Sequence, residues 1–316
     1  GEKLTPQDPS SPVYPDGSDN LTRKVDREID YIYSDGSTAK PSVKDSLIFN
    51  NTEKIDKVTG QIISSTWDGP KNFADISSPI IEGYTPDKSS VENKGIKHDN
   101  SPIKVVIKYS ADPQHMKVIY RDLTTSQILS QFTKDGVSDE DGHYNTKSAI
   151  DGYVANGYVL SRDDTNGKDL IFDHNDKLDQ VYYVDFTHGT HQYNPEKPNT
   201  KDQVNKSDYL ADYSTVISYV DSSNKKLNQD KMVADEYKRD LTIDSVTGKI
   251  LSCGEWQLNK AYTAVNNPVI QGYITRDKQY KPVDAQKNQK FNVIYAQLGK
   301  LHLVDNKGKQ IAPDVV

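Results

Sequence analysis

Short runs of alternating apolar and polar residues, broken by turn dipeptides, dominate the chain. In residues 27–33 the alternate positions Arg27, Ile29, Tyr31 and Tyr33 share one face, and Asp35-Gly36 follows. Period-two alternation ending in Asp-Gly predicts a half-buried strand entering a hairpin. Residues 53–58 and 61–67 flank Thr59-Gly60, which predicts a second hairpin, and Ile103, Val105, Ile107 and Tyr109 predict a further strand. Between residues 113 and 193 the pattern changes. Strands are predicted at 116–121 and 127–132, then a polar loop around Asp141-Gly142. Ala149, Ile150, Tyr153 and Val154 fall at helical spacing, so 146–155 reads as a helix capped by Asn145 or Thr146 and stopped by Gly157. Strands are predicted near 158–161, 168–173 and 180–187; two strands, a helix and then more strands is the ββαββ order of a β-grasp fold.

The chain repeats itself. Ile55-Asp56-Lys57-Val58-Thr59-Gly60 recurs as Ile243-Asp244-Ser245-Val246-Thr247-Gly248, an offset of 188 residues. Gln61-Ile62-Ile63-Ser64 recurs as Lys249-Ile250-Leu251-Ser252, and Trp67 as Trp256 one residue later. Ser78-Pro79-Ile80-Ile81-Glu82-Gly83-Tyr84 recurs as Asn267-Pro268-Val269-Ile270-Gln271-Gly272-Tyr273. The organisation is therefore A–B–A′: a module at 21–111, a different one at 113–193, and a second copy at 208–316 that includes a C-terminal tail. Residues 1–20, with Pro6, Pro9, Pro12 and Pro15, and 194–207, with Pro195 and Pro198, read as polar spacers. Asn306-Lys307-Gly308 predicts a last hairpin.

Composition narrows the class. Hydrophobic residues make up 34% of the chain, which suits small modules better than one large core. The 20 tyrosines and recurrent Val/Ile clusters exclude a disordered chain. A net charge of −7 without a basic stripe argues against nucleic acid as a partner. No apolar run approaches membrane-spanning length, so no membrane insertion is expected. The chain starts at Gly1 without a signal peptide, as expected of a piece cut from a longer protein. The single cysteine, Cys253, allows no intrachain disulfide.

Candidate chemistry is sparse. His188 and His191 could hold a metal, but their i, i+3 spacing at a strand end lacks the helical His-Glu-x-x-His pattern and favours a structural or surface role. Asp163, Asp164, Asn166, Asp169, Asp173, Asn175 and Asp176 suit turns; a structural Ca2+ is the alternative their oxygens leave open. No nucleophile motif or phosphate loop is present, so no enzyme and no cofactor are expected. Trp67, Trp256, Tyr84 and Tyr273 could stack on sugars but read first as residues closing each module's core.

These residues resemble the Mub repeats and MucBP-type modules of lactobacillal mucus-binding proteins. The flanking copies are similar to one Mub half-repeat through Ile29-x-Tyr31-x-Tyr33-x-Asp35-Gly36, Val58-Thr59-Gly60, Trp67 and Ser78-Pro79-Ile80-Ile81-x-Gly83-Tyr84. The middle resembles the MucBP half through Val118-Ile119-Tyr120-Arg121-Asp122, Tyr144-Asn145-Thr146, Ile150-x-x-Tyr153 with Gly157-Tyr158, Asp179-Gln180-x-Tyr182-x-Val184 and His188-Gly189-Thr190. The second copy departs from the pattern at Asp221-Ser222-Ser223-Asn224 and at Ile274-Thr275-Arg276.

The resemblance implies an α+β, strand-dominated fold of tandem ubiquitin-like β-grasp modules in an elongated array. It also implies an extracellular, cell-wall-anchored adhesin that binds mucin glycans by multivalent weak contacts, and some relatives bind immunoglobulin. A structural stalk is the alternative, and a monomer is expected. An acidic fragment needs a local basic patch to meet acidic glycans. Lys225, Lys226 and Lys231 form one candidate, and Lys278, Lys281, Lys287 and Lys290 form the preferred one.

Overall fold

The computed structural model describes residues 21–276, 278–280 and 286–315. The chain divides into two compact units: Gly1–Ser148 with Ser161–Asp185, and Ala149–Leu160 with Phe186–Val316. The spacer expected at 1–20 and the candidate Lys281 lie outside the described residues.

The first copy contains β1 (Thr22–Tyr33), β2 (Thr38–Ile55), β3 (Ile62–Trp67), β4 (Ile76–Ser77), β5 (Tyr84–Pro86), β6 (Ser90–Val91) and β7 (Ile103–Ala111). The middle segment contributes β8 (Pro113–Asp122), β9 (Gln127–Val137), α1 (Lys147–Ala155), β10 (Tyr158–Asp163), β11 (Gln180–His188) and β12 (Thr190–Gln192). Then come α2 (Lys206–Tyr209), β13 (Leu210–Asp221), β14 (Lys226–Lys238), β15 (Leu241–Asp244), β16 (Ile250–Cys253), β17 (Gln257–Lys260), β18 (Val265–Asn266), β19 (Tyr273–Ile274), β20 (Gln279–Tyr280) and β21 (Gln289–Gln297). The protein is strand-dominated.

In the first copy the sheet order is β3-β2-β1-β7-β5. The chain's first long strand lies centrally, antiparallel to β2 and parallel to β7. Val25, Arg27, Ile29 and Tyr31 are all buried, as the alternation predicts. Two clusters pack beneath the sheet: Ile29, Tyr31, Val91, Ile107 and Tyr109, and Val25, Phe49, Phe73 and Ile96. Arg27 is tolerated inside because Asp45 receives it bidentately at 2.9 and 2.6 Å, Ala74 O accepts at 2.9 Å, and the Phe73 ring lies 4.4 Å away. A buried guanidinium without such partners would carry a large desolvation cost.

The second copy repeats this plan as β17-β14-β13-β21-β19. Here, however, the long ribbon of β2 and β3 is interrupted after Lys238. The hairpin β15–β16 leaves the main sheet and takes β12 as a third strand. Thr215, at the position of Arg27, is buried and receives a hydrogen bond from Gln289 at 3.1 Å, so no buried cation stands at this position of the second copy.

The middle segment follows the predicted order of two strands, a helix and two strands, in a sheet ordered β10-β11-β8-β9. The strand expected at 168–173 does not form. That stretch instead bonds to the loop at 140–144: Leu170 N–H donates to Tyr144 O, Phe172 N–H to Glu140 O, and Gly142 N–H to Leu170 O. His143 and Asp139 have φ of 49° and 66°, which interrupts any longer ladder on the partner side. Leu170 and Phe172 are nonetheless buried, so the apolar alternation that suggested a strand marks core anchors.

Segment 194–207 also differs from a free spacer. Tyr193 N–H donates to Leu241 O, Gln203 N–H to Gly248 O, and Lys201 Nζ to Asn156 O at 3.1 Å. Its prolines remove donors, yet the Gln203 amide and Lys201 anchor it within one unit.

Candidate ligand-binding surfaces

In the second copy, residues 266–276, 278–280 and β21 frame two adjoining open cavities of about 820 Å³ each. Asn267, Ile274, Thr275 and Gln279 line both. Arg276 lines one and Lys278 the other. Lys278 is exposed, as are Lys287 and Lys290, but neither of the last two lines these cavities. The structure therefore separates the lysines that sequence proximity grouped. Lys290 lies on β21 opposite Val216, where its charge, with that of Lys226, helps hold the Asp230 carboxyl low; the Ser218 hydroxyl is the largest cause. Lys226 itself pairs with Asp230 at 3.3 Å. Arg276 stands out in the sequence only as a departure from the first copy, where Pro86 and Asp87 occupy this region. Asp87 closes the first copy by a reciprocal pair of bonds with the Lys108 backbone: its amide donates to Lys108 O, and its carboxylate accepts from Lys108 N–H at 3.0 Å.

A second surface lies within the other unit. Loops 80–84 and 173–177 border an open groove of about 620 Å³ lined by Ile80, Glu82, Asp112, Asp173, His174 and Asp176, among others. Ile80 is 93% exposed and gives an apolar wall to a groove in which four carboxylates outnumber the one lysine, Lys177. Side-chain bonds cross the groove floor. Tyr84 Oη donates to Asp139 at 2.7 Å, and His174 Nε2 meets the other oxygen of Asp139 at 2.8 Å. Gly83 has φ of +75°, and a Cβ there would lie 2.7 Å from Ser138 Oγ and 2.9 Å from His174 Cβ. The Tyr84 hydroxyl is pushed up to about 12, first by its bond to Asp139 and then by burial.

The aromatic candidates are largely spent on packing. Trp67 stacks on His98 with ring centroids 4.6 Å apart, under Arg23. Trp256 lies under Arg239 at 4.5 Å. Tyr273 packs against the second-copy core of Ile217, Tyr219 and Tyr295. Tyr84 packs on Tyr33 and reaches outward only through its hydroxyl.

His188 and His191 face separate partners. His188 Nδ1 lies 2.7 Å from Asp244, while His191 Nδ1 lies 3.0 Å from Ser245 Oγ and its Nε2 3.1 Å from Asp202. The Asp-rich stretch builds turns. Asp163 accepts the amides of Thr165 and Gly167, each at 3.0 Å, and Asp173 accepts that of Asn175 at 3.0 Å. Burial raises the Asp164 carboxyl, but the Tyr183 amide and Arg162 outweigh it and hold it low.

A family model described as Muc B2-like domain matches residues 17–113 and 204–299, and one described as mucin binding domain matches 114–188. No curated protein matches the chain. Among solved structures it is similar to the type 2 repeat of the mucus binding protein MUB from Lactobacillus reuteri, at 28% identity over 58% of this chain and 99% of that one, with a TM-score of 0.45. It is also similar to Mub-RV, at 29% identity over 59% and 100%, with a TM-score of 0.41. A third match is the MucBP domain of the adhesion protein from Pediococcus pentosaceus, at 28% identity over 28% and 98%, with a TM-score of 0.26.

Proposed function

We propose, for a chain that belongs to the Muc B2-like domain family and holds a mucin binding domain between its two copies, that it is part of a bacterial surface adhesin attaching to host mucin glycans. The carrying observation is the mucin binding domain matched across 114–188, with the same module on either side. Repetition supports attachment through many weak contacts, because each bound module raises the effective concentration of the next. The sheet order β10-β11-β8-β9, with the first and last strands adjacent, supports a β-grasp reading of the middle module. The flanking copies fit a variant of that plan in which a ribbon such as β4–β6 stands where the helix would be.

The acidic-glycan contact is assigned to Arg276 and Lys278 of the second copy. There two cations line cavities whose other walls offer the amides of Asn267, Gln279 and Asn292. Amides suit sugar hydroxyls, and guanidinium and ammonium groups suit a carboxylate or sulfate. The acidic groove beside Ile80 suits neutral sugars instead.

The test is binding of the chain to immobilised mucin in native, desialylated and fully deglycosylated forms, with immunoglobulin G in parallel. Mucin binding that disappears with the glycans supports the adhesin. Binding that survives deglycosylation overturns the glycan reading. An Arg276→Glu/Lys278→Glu chain should lose binding to native mucin more than to the desialylated form; equal losses would remove the second copy's assigned role.

A stalk is the second reading, favoured by the close fit of Gly83 against Ser138 and of Gly157 against Ser245, which fasten successive modules. Binding to neither mucin nor immunoglobulin would put it first.

A further inference from the structure

The two copies carry the same hairpin in two different settings. In the first, Glu53, Lys54 and Ile55 oppose Ser65, Ser64 and Ile62. In the second, Leu241, Thr242 and Ile243 oppose Cys253, Ser252 and Ile250, and the register shifts at the equivalent step. The turns match as well. Asp56 accepts the amides of Val58 and Thr59 at 2.8 and 3.3 Å, and Asp244 accepts those of Val246 and Thr247 at 2.8 and 3.0 Å. Gly60 and Gly248 have φ of 71° and 74°.

The second hairpin carries an added strand. Thr190, His191 and Gln192 pair with Asp244, Ile243 and Thr242, and Ser245 N–H donates to Gly189 O. His188 reaches the same Asp244. Ile243 is fully buried, Asp244 and Gly248 are buried, and Val246 is half-buried. In the first copy Ile55, Asp56 and Gly60 are only half-buried, and Val58 is 94% exposed. Pairing of β1 with β2 ends at Thr22↔Asn50, so among the described residues β3 alone pairs with 53–55.

We infer that the outer edge of residues 53–56 is an acceptor for an added strand, and that its partner is the C-terminal strand of another mucin binding domain, of the Phe186–Gln192 type. An open strand edge offers a row of backbone donors and acceptors that a second strand completes. A histidine two residues before the incoming strand would meet Asp56 as His188 meets Asp244. Lys57 replaces Ser245, so the ladder and the His–Asp pair carry over while the Ser245–His191 bond does not. The site would join a mucin binding domain to the first Muc B2-like module as β12 joins the hairpin β15–β16.

Disulfide trapping reads a weak, register-specific contact of this kind. The probe is a peptide of residues 186–194 with Gln192→Cys, and the target is the full chain with Cys253→Ser and Lys54→Cys, because Gln192 opposes Thr242, the counterpart of Lys54. Cross-linking should run roughly tenfold faster than with a scrambled peptide, since pairing raises the local thiol concentration. It should slow when the chain carries Asp56→Asn or the peptide His188→Ala. A chain with Thr242→Cys, whose edge already holds β12, should trap poorly. Rates equal to those of the scrambled peptide, rates unmoved by Asp56→Asn, or equal trapping at positions 54 and 242 would each overturn the inference.

Discussion

His188 Nδ1 and Asp244 Oδ2 lie 2.7 Å apart with side chains 7% and 10% exposed, joining the end of β11 to the hairpin β15–β16. Burial raises the Asp244 carboxyl, but His188 and the amides of Thr247 and Val246 outweigh it and hold it below 3.8. A carboxyl whose folded value is depressed adds stability that is complete above its unfolded value and is lost as pH falls through the folded one. The melting temperature should therefore drop as pH falls from about 4 towards 2. In Asp244→Asn that acid loss should be smaller and the melting temperature near neutrality lower, as calorimetry across this range would show.

Gly157 ends α1 with φ of +99°, and a Cβ there would sit 2.4 Å from the Ser245 carbonyl oxygen. Gly152 lies inside α1 with nothing near its missing Cβ. Gly157→Ala should destabilise the chain by more than about 1 kcal/mol, through left-handed strain and the backbone clash. Gly152→Ala should leave it unchanged or stabilise it by up to about 1 kcal/mol. Urea unfolding of the two variants separates the roles of two glycines five residues apart in one segment.

Arg27 has a fully buried side chain, whereas its partner Asp45 is 34% exposed. Asp45→Ala should cost about 3 kcal/mol, the lower end for a broken buried pair, because water reaches the carboxylate side. Arg27→Met combined with Asp45→Leu should recover most of that loss. Equilibrium denaturation of the two singles and the double gives the coupling directly.

Tyr84 donates to Asp139, whose carboxyl is held low by Tyr84 first and His174 second. Tyr84→Phe should cost about 1 kcal/mol. In a spectrophotometric titration it should also remove one tyrosine from the fraction ionising near pH 12, leaving Tyr280, also pushed up to about 12, in place.

Much of this fold was legible in the chain. Period-two alternation located β1 and β7, the Thr59-Gly60 turn located the β2–β3 hairpin, and helical spacing with Gly157 located α1 within a residue. These signals are local, because turn chemistry and amphipathic period act over a few residues. The reading went astray at 168–173, where alternation reflected burial of Leu170 and Phe172 rather than a sheet partner. The linker expected at 194–207 carries anchors at Lys201 and Gln203 that were not legible, because proline content says nothing about which distant carbonyls a segment will meet. Of the lysines grouped by sequence, Lys278 alone among the described residues lines these cavities, and Arg276 beside it was visible only as a mismatch between copies.

The sequence by itself determined the A–B–A′ repeat, the strand-rich composition, the module class and most strand positions, since each is written in local period or direct self-similarity. Only the tertiary structure decided that identical hairpins would differ in their partners. It placed β12 on the edge of one and left residues 53–55 of the other, among the described residues, paired with β3 alone. It also turned Gly157, read as a helix stop, Tyr84, read as a core residue, and His188, read as structural or surface, into fastenings. Those outcomes depend on which segments meet across many residues, and backbone edges pair by proximity and geometry that no local pattern encodes.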